Sequence, residues 1–594
     1  MSAQSPGSPT SAPAGASGAK TVPVDDYVGI FYPGYQPTYR SQPFVYDPVG
    51  PFTKADNGRF WFRDALHFGR GMVPASIALV DEAQSLGAQS AAEIVGVPPV
   101  RGTVDRFVGT HVYLGGIDIF STWEIGARAG RFASFVGPIL ADFDAYWGTY
   151  ERELRSGYEH FDHLDLGAMG RDELWETVRD AYQFHRRGWY IHFEAMYVLI
   201  TNYLSFYELA KELGLEPSLV SRYLAGRPTF YLETDEHLSG LAERARALGV
   251  ADALLTGDPA GVRARVEALP QGRTWWKELE DFLQVYGWRM EETCTIDTPA
   301  WIEDPAPALY RIAALLSRPG DRNFKDDRAA AVAERDQYVE DARSQLGGGE
   351  RLRQFNEALD TNQKANFAWW NDEHNALLDR RLAIPVRRAT LALGDRLTND
   401  GVISQPDDLF FVFKSELFEA IEGGGSEWDR LRPLIPERRA FFEEWRARGP
   451  ELPPVLGTIP PRVEDPTMIE VFGMTEHYLE TVTKGDTGRQ LHGFPASKGV
   501  AEGTARVINA AGELHLLQPG DILVCGGTTT EWTAVFGYIK ACVCDGGGSL
   551  THAAIVSREY GIPCVVGTAA ATATIKTGDR VRVDGGQGTV QILD

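Results

Sequence analysis

Between Gly170 and Gly214 the chain reads GRDELWETVRDAYQFHRRGWYIHFEAMYVLITNYLSFYELAKELG, with no proline and Gly188 as the one interior glycine. Apolar residues recur there at spacings of three and four, which predicts a long, heavily buried helix. The same period predicts helices at about 234–248, 272–287, 305–317, 326–347 and 350–398. Another follows the Gly423-Gly424-Gly425 break, from Glu427 to Arg448. Residues 22–110 are rich in Pro, Gly and aromatics and have few periodic stretches, so a loop-heavy region is expected. Near 450 the pattern changes. GPELPPVLGTIPPRVEDP is Pro-rich and reads as the start of a linker or hinge covering 451–489. From about 488 the period shortens towards two, in GTARVI, DILVCG, ACVCDG, PCVVGT, DRVRVDG and GTVQIL, broken by Gly-containing turns and the helix THAAIVSREYG. Strands alternating with a short helix predict a compact α/β domain.

A chain of 594 residues is too long for one core. The fold class expected is therefore multidomain, mainly α-helical over 22–450 and α/β over 490–594. The Ser/Pro/Ala/Gly-rich residues 1–21 are expected to form a disordered tail, with no apolar run of a secretory signal. The net charge of −24 argues against a nucleic-acid partner, which needs a basic face. The most membrane-like run, AMYVLITNYLSFYELA, is interrupted by Asn202 and falls short of the ~20 residues of a span. A cytoplasmic protein is expected. The five cysteines are Cys294, Cys525, Cys542, Cys544 and Cys564; with no CxxC pair they indicate neither a disulfide framework nor a zinc site, and no metal site is expected.

The segment with most chemical content is Asp545–Gly567, DGGGSLTHAAIVSREYGIPCVVG. A strand ending at Cys544 leads into Gly546, Gly547 and Gly548, then Ser549, Thr551 and His552, then an amphipathic helix. Glycines let backbone N–H groups approach an anion, and a helix start adds partial positive charge. Imidazole is a nucleophile able to hold a phosphoryl group and pass it on. A phosphate on His552 is thus expected to be stabilised by the three-glycine loop and by the Ser549 and Thr551 hydroxyls. On spacing alone, a plain turn followed by an ordinary helix-start histidine fits as well.

GGGSLTHAAIVSREYGIPCVVG closely resembles the active-site stretch of the mobile phosphohistidine domain of the PEP-utilising enzymes. That family includes PEP synthase, pyruvate phosphate dikinase, rifampin phosphotransferase and phenylphosphate synthase. The match runs through Gly547, Thr551, His552, Ala553, Ala554, Ile555, Val556, Ser557, Arg558, Glu559, Gly561, Ile562 and Pro563. SKGVAEGTARVI, GGTTTEWTAVF and DRVRVDGGQGTVQIL are similar to the domain's other segments, so the resemblance covers 490–594. It implies that His552 carries the phosphoryl group and that the domain swivels. Weaker resemblance upstream, in VYGWRMEETCTIDTPAWIEDP, RRATLALGDRLTNDGVISQPDDLFFVFKSEL and FWFRDALHFGRGMVPASI, implies that 22–450 binds the acceptor substrate. Trp288 stands where relatives often have His.

No Gly-rich nucleotide loop or Walker-type run is visible. By family logic a separate ATP-grasp subunit then supplies ATP and Mg2+, forms AMP and inorganic phosphate, and charges His552, with no cofactor bound by this chain alone. The split is similar to phenylphosphate synthase, which implies a hydroxylated aromatic acceptor such as a phenol or a hydroxyacetophenone. Phosphoryl transfer to a hydroxyl needs a base and cations. The candidates are His67, Arg70, His185, His192, Arg289 and Glu292, with Arg186, Arg187 and Glu194 beside them. His185 and His192, seven apart, share a helix face. Each of these more often serves packing than catalysis. Two further readings stay open: a rifampin-like drug phosphotransferase fed in trans, and a non-enzymatic phosphocarrier or regulator.

Overall fold

The computed structural model describes residues 20–36, 49–65, 67–255, 261–317, 324–423, 425–463, 466–484, 488–509, 511–528 and 530–593. The tail expected over 1–21 lies outside them except for its last two residues. The molecule is multidomain, with a large helical part and an α/β part at the C-terminal side.

The first correction to the sequence reading concerns 22–110. This stretch supplies most of a six-stranded sheet: β1 Lys20–Val22, β2 Gly50–Pro51, β3 Phe60–Arg63, β4 Val100–Val108, β5 His111–Asp118 and β6 Val455–Ile459, in the order β1-β6-β3-β5-β4-β2. β4 and β5 form an antiparallel hairpin around Gly109-Thr110. Both of its strands are buried almost throughout, so the two-residue alternation that betrays a half-exposed strand is lacking. β6 falls inside the stretch read as linker. It pairs with β1 and β3, and the helices Pro466–Glu470 and Glu476–Lys484 follow it. Val455, Ile459, Met468, Met474, Tyr478 and Leu479 pack with Phe60, Phe62 and Leu114 in one buried cluster. Most of the described part of 451–489 is thus ordered structure held by apolar burial; 464–465 and 485–487 lie outside the described residues.

The long helix appears as Arg171–Glu212 and runs through the largest core, which it shares with Pro74–Val80, Ala88–Val95 and Ala383–Asn399. Gly188 is required there, because a Cβ would lie 2.4 Å from a Leu382 methyl. Two twenty-residue helices, Thr122–Ala141 and Phe143–Asp162, lie in sequence left unassigned. The helices Phe230–Ala247, Gly272–Tyr286 and Ala306–Leu316 build a second core around Trp275 and Trp301. The helix expected over 350–398 is broken into Glu350–Lys364, Phe367–His374, a π-helical turn Asn375–Asp379 and Ala383–Asn399. Among the described residues no helix is long and apolar enough to cross a membrane.

The C-terminal α/β part is an eight-stranded sheet. Its strands are β7 Gln490–His492, β8 Phe494–Ser497, β9 Val500–Ile508, β10 Ile522–Cys525, β11 Ala541–Cys544, β12 Cys564–Val566, β13 Arg580–Asp584 and β14 Thr589–Ile592, in the order β7-β14-β13-β9-β10-β11-β12-β8. β9 to β12 are parallel, and parallel neighbours need crossovers. The three crossovers contain, in order, the 3-10 helix Ala511–Leu516, the 3-10 helix Thr530–Gly537 and the helix His552–Tyr560. Residues alternate between two cores: Cys525, Cys542, Cys544 and Cys564 face Ala553 and Ala554, whereas Val524, Val543 and Val565 face the other side.

Candidate functional site

Gly526–Thr528 and Gly546–His552 are the segments that leave the carboxyl ends of β10 and β11, where open α/β sheets place their ligand crevices. His552 is the first residue of its helix and is half-buried. Its Nδ1 is hydrogen-bonded to the Thr528 hydroxyl at 2.8 Å, and its ring meets Phe536 edge-on at 5.8 Å. The imidazole is therefore oriented from two sides. The Thr530–Gly537 helix that carries Phe536 packs on Ala306–Leu316, so this face of the α/β part abuts the second helical core.

The three glycines do not surround the imidazole in this conformation. Gly546 N–H donates to the Gly526 carbonyl, Gly547 N–H to Phe472 at 3.1 Å, Gly548 N–H to Val471 at 3.3 Å, and Leu550 N–H to Glu470 at 2.9 Å. The loop amides are thus occupied by carbonyls of the segment that precedes the α/β part. Two glycines permit the approach: a Cβ on Gly548 would sit 2.2 Å from the Ile469 carbonyl oxygen, and one on Gly473 2.1 Å from that of Gly547. The Ser549 hydroxyl donates to the Glu470 carboxylate, which also accepts from Tyr207 of the long helix at 2.9 Å. Thr551 turns its hydroxyl to the Gly548 carbonyl and does not cap the helix. Burial raises the Glu470 pKa, against the pull of Ser549, Tyr207 and Arg558.

Of the acceptor candidates, His67 has the arrangement of a held base. It stands just after β3, and its Nδ1 lies 2.8 Å from Asp64 Oδ2, with Asp64 itself buried. Burial pulls the His67 pKa down, but the charge and hydrogen bond of Asp64 more than offset it, and the net shift is upward from 6.5. Asp64 also lines a cleft of about 500 Å³ between the strand β3 and the α/β part, with Arg63, Gly526, Asp545 and Gly546 among its other walls.

His192 is brought together with His374 and Asp379, two residues the sequence reading did not single out. His192 Nδ1 is 3.6 Å from Asp379 Oδ1, and His374 Nε2 is 3.7 Å from Asp379 Oδ2. All three are buried, and burial lowers the pKa of both imidazoles. A spacing rule gives no warning of this cluster, because its members lie on two separate stretches and on a π-helical turn.

The remaining candidates are engaged elsewhere. His185 faces away from His192's partners: it accepts from Trp189 Nε1 at 3.1 Å and lies 3.6 Å from Glu82, which is ion-paired with Lys414. The shared helix face therefore serves two different clusters. Arg70 donates to Thr298 Oγ1 at 2.7 Å and lies 3.6 Å from Asp297. Arg289 is 2% exposed, its guanidinium stacked between Trp301 at 4.1 Å and Tyr231 at 4.7 Å. Glu292 is half-buried in the loop beyond it. Arg187 pairs with Glu153, Arg186 with Gln183, and Glu194 accepts from Tyr150.

Two stretches match described families. Residues 517–588 match the mobile domain of PEP-utilising enzymes, and residues 191–372 match the fourth domain of rifampicin phosphotransferase. Over these two stretches the chain is similar to PEP-utilising enzymes. Among curated proteins it is 28% identical over 555 residues to chondramide synthase cmdD of Chondromyces crocatus, covering 91% of this chain and 14% of that protein. It is 29% identical over 447 residues to the uncharacterized phosphotransferase YvkC of Bacillus subtilis, covering 73% and 51%. It is 26% identical over 468 residues to a rifampicin phosphotransferase of a Streptomyces species, covering 77% and 51%. The chain thus spans about half, or much less, of the length of these relatives.

Proposed function

We propose that this chain is a phosphotransferase that carries a phosphoryl group on His552 and delivers it to the hydroxyl of a small molecule held by the helical part. The observation that carries the reading is His552 itself: first residue of a helix, at the carboxyl end of a parallel strand, with Nδ1 already fixed by Thr528. We assign Nε2, the nitrogen not held by Thr528, to the phosphorus. In the first half-reaction the α–β P–O bond of ATP breaks as P–N forms to the β-phosphorus, releasing AMP, and the γ-phosphoryl group passes to water as inorganic phosphate. In the second, P–N breaks as P–O forms to the acceptor, and the hydroxyl proton passes to His67, whose other nitrogen is held by Asp64.

The donor, in this reading, is ATP bound with Mg2+ on a separate ATP-grasp subunit, and the acceptor is phenolic. A phenol has a pKa near 10, so a base that shares its proton at neutral pH lowers the barrier. A macrolactone such as rifampicin is the second reading, favoured by the match of residues 191–372. Because the chain has one histidine for two sites, the α/β part must move between them, and the bonds from Gly547, Gly548 and Leu550 to residues 470–472 must open for the glycine loop to reach a phosphate.

The test is to mix the full chain with an ATP-grasp subunit and β-labelled ATP, then offer hydroxylated aromatics or rifampicin. Acid-labile label on His552 and AMP formation that depends on one acceptor class support the reading. Label that stays on the chain with every acceptor leaves only the carrier reading.

A further inference from the structure

His374 and Asp379 are five residues apart, a spacing that an α-helix sets about 140° apart around its axis. The π-helical turn Asn375–Asp379 widens the winding, with an i to i+5 repeat, and brings both side chains to one face. His192 of the long helix faces them, and one ligating atom from each of the three residues lies within 4.8 Å of the other two. Such turns interrupt helices mostly where a function needs them.

The cluster lacks the hydrogen bonds that would explain it as packing. His192 Nδ1 and Asp379 Oδ1 are buried without a hydrogen-bond partner, and the separations of 3.6 and 3.7 Å are too long for one. His374 Nδ1 lies 2.8 Å from the Trp370 carbonyl, an acceptor, so Nδ1 carries the hydrogen and the Nε2 lone pair faces Asp379. Lone pairs of imidazole and carboxylate therefore converge on one point. A backbone carbonyl that fixes the tautomer of a histidine is also the usual support behind a metal ligand. Ligands bound at about 2.0–2.2 Å stand roughly 3.3–3.6 Å from one another around a tetrahedral ion, close to the 3.6 and 3.7 Å from Asp379 to the two imidazoles. Arg380, next to Asp379 in the chain, sends a guanidinium nitrogen to the Glu291 carbonyl at 3.1 Å.

We infer that His192, His374 and Asp379 bind one divalent transition-metal ion, of the zinc, iron or cobalt kind, through His192 Nδ1, His374 Nε2 and the Asp379 carboxylate. Two imidazoles and one carboxylate suit these ions and leave coordination positions open. His67 is close enough for its charge to act on both imidazoles and for Asp379 to act on it. An acceptor hydroxyl in an open position would meet a Lewis acid on one side and His67 on the other. That role rests on the phosphotransferase reading; the ion site does not.

The experiment strips the full chain with a chelator and titrates it with Co2+ and Zn2+, following bound metal by mass spectrometry and Co2+ by visible absorption. Wild type is expected to take up one ion with weak d–d bands of nitrogen and oxygen ligands and to melt at a higher temperature with Zn2+. Asp379→Asn and His374→Gln, shown by circular dichroism to fold as the metal-free wild type does, are expected to lose more than the roughly 10- to 100-fold in affinity that removing an outer-shell partner costs. Wild type that binds no ion overturns the site and leaves a proton between His374 and Asp379 as its content. So does Co2+ with an intense thiolate band unchanged in Asp379→Asn, which would place the ion at Cys525, Cys542 and Cys544. A second arm separates the two readings. If metal binds but discharge of phospho-His552 is equally fast without it, the Lewis-acid role is overturned. If His552 never takes label, the proposed function falls while the metal count stands.

Discussion

His552 and His192 sit in opposite surroundings. Around His552 the sequence is almost contiguous, rich in glycine, half-open to solvent, and held by one hydroxyl and one ring edge. Around His192 the residues come from two distant stretches, and Trp189 and Trp370 close over the imidazole at 4.7 and 5.7 Å. A group that must meet two partners in turn needs exposure and a backbone that can rearrange. A group that must hold a fixed geometry needs burial and neighbours that cannot. In the proposed phosphotransferase cycle the first site suits a group that moves and the second a group that is preorganised.

The sharpest way to break that contrast is at His552. His552→Ala is expected to abolish both label uptake and turnover with the fold unchanged, since the side chain adds little to the core; circular dichroism and label counting check this. Label retained in the variant would move the carrier elsewhere in the chain. Next in size, His67→Ala is expected to leave uptake intact and slow discharge about 100-fold, in the range of a lost general base. In wild type the discharge rate should rise with pH through a value above 6.5, because His67 must be neutral to accept a proton and Asp64 raises its pKa. A discharge rate flat from pH 5.5 to 8.5 would remove His67 from the chemistry. Arg289→Ala is expected to act differently from what its sequence context suggests. With the guanidinium stacked on Trp301 and Tyr231, the loss should appear as an unfolding free energy lowered by about 1–3 kcal/mol and a correspondingly lower melting temperature, with discharge per folded molecule little changed.

The smallest expected effect is at Glu470. Burial raises its pKa above 4.5 in the folded chain, so between 4.5 and that value the folded state binds more protons than the unfolded one. The Glu470 contribution is therefore full below 4.5 and is lost as pH rises through the raised value. Glu470→Gln should flatten this slope and keep the contacts with Ser549 and Tyr207. Hydrogen exchange at Gly547 and Gly548, followed from pH 4 to 8 in both proteins, reads the difference. Equal profiles would show that the carboxyl does not govern docking of the glycine loop.

The same contrast explains what was legible. The long helix and the α/β strands follow local periods, and the resemblance around His552 sits in one run of residues. The β4–β5 hairpin was missed because both of its faces are covered, leaving no alternation to see. β6 was taken for linker because prolines flank it; its pairing partners lie far up the chain. His374 and Asp379 were passed over since a spacing of five means nothing on an α-helix, and only the π-helical turn gives it meaning. His185 shares a helix face with His192 and meets it through Trp189, but the two imidazoles lie against different carboxylates, Glu82 and Asp379.

The pairing of β3 with β6 has a consequence for synthesis. Phe60 aligns with Gly457 and Phe62 with Val455, so about 400 residues separate neighbours in one sheet. A ribosome adding about 5–20 residues per second leaves β3 waiting roughly 20–80 s for its partner. For that time an aromatic strand, Phe60-Trp61-Phe62, has an uncovered edge. Until β6 emerges, that edge is open to non-native strand pairing, so the β3–β6 pairing is a late step in folding of the nascent chain.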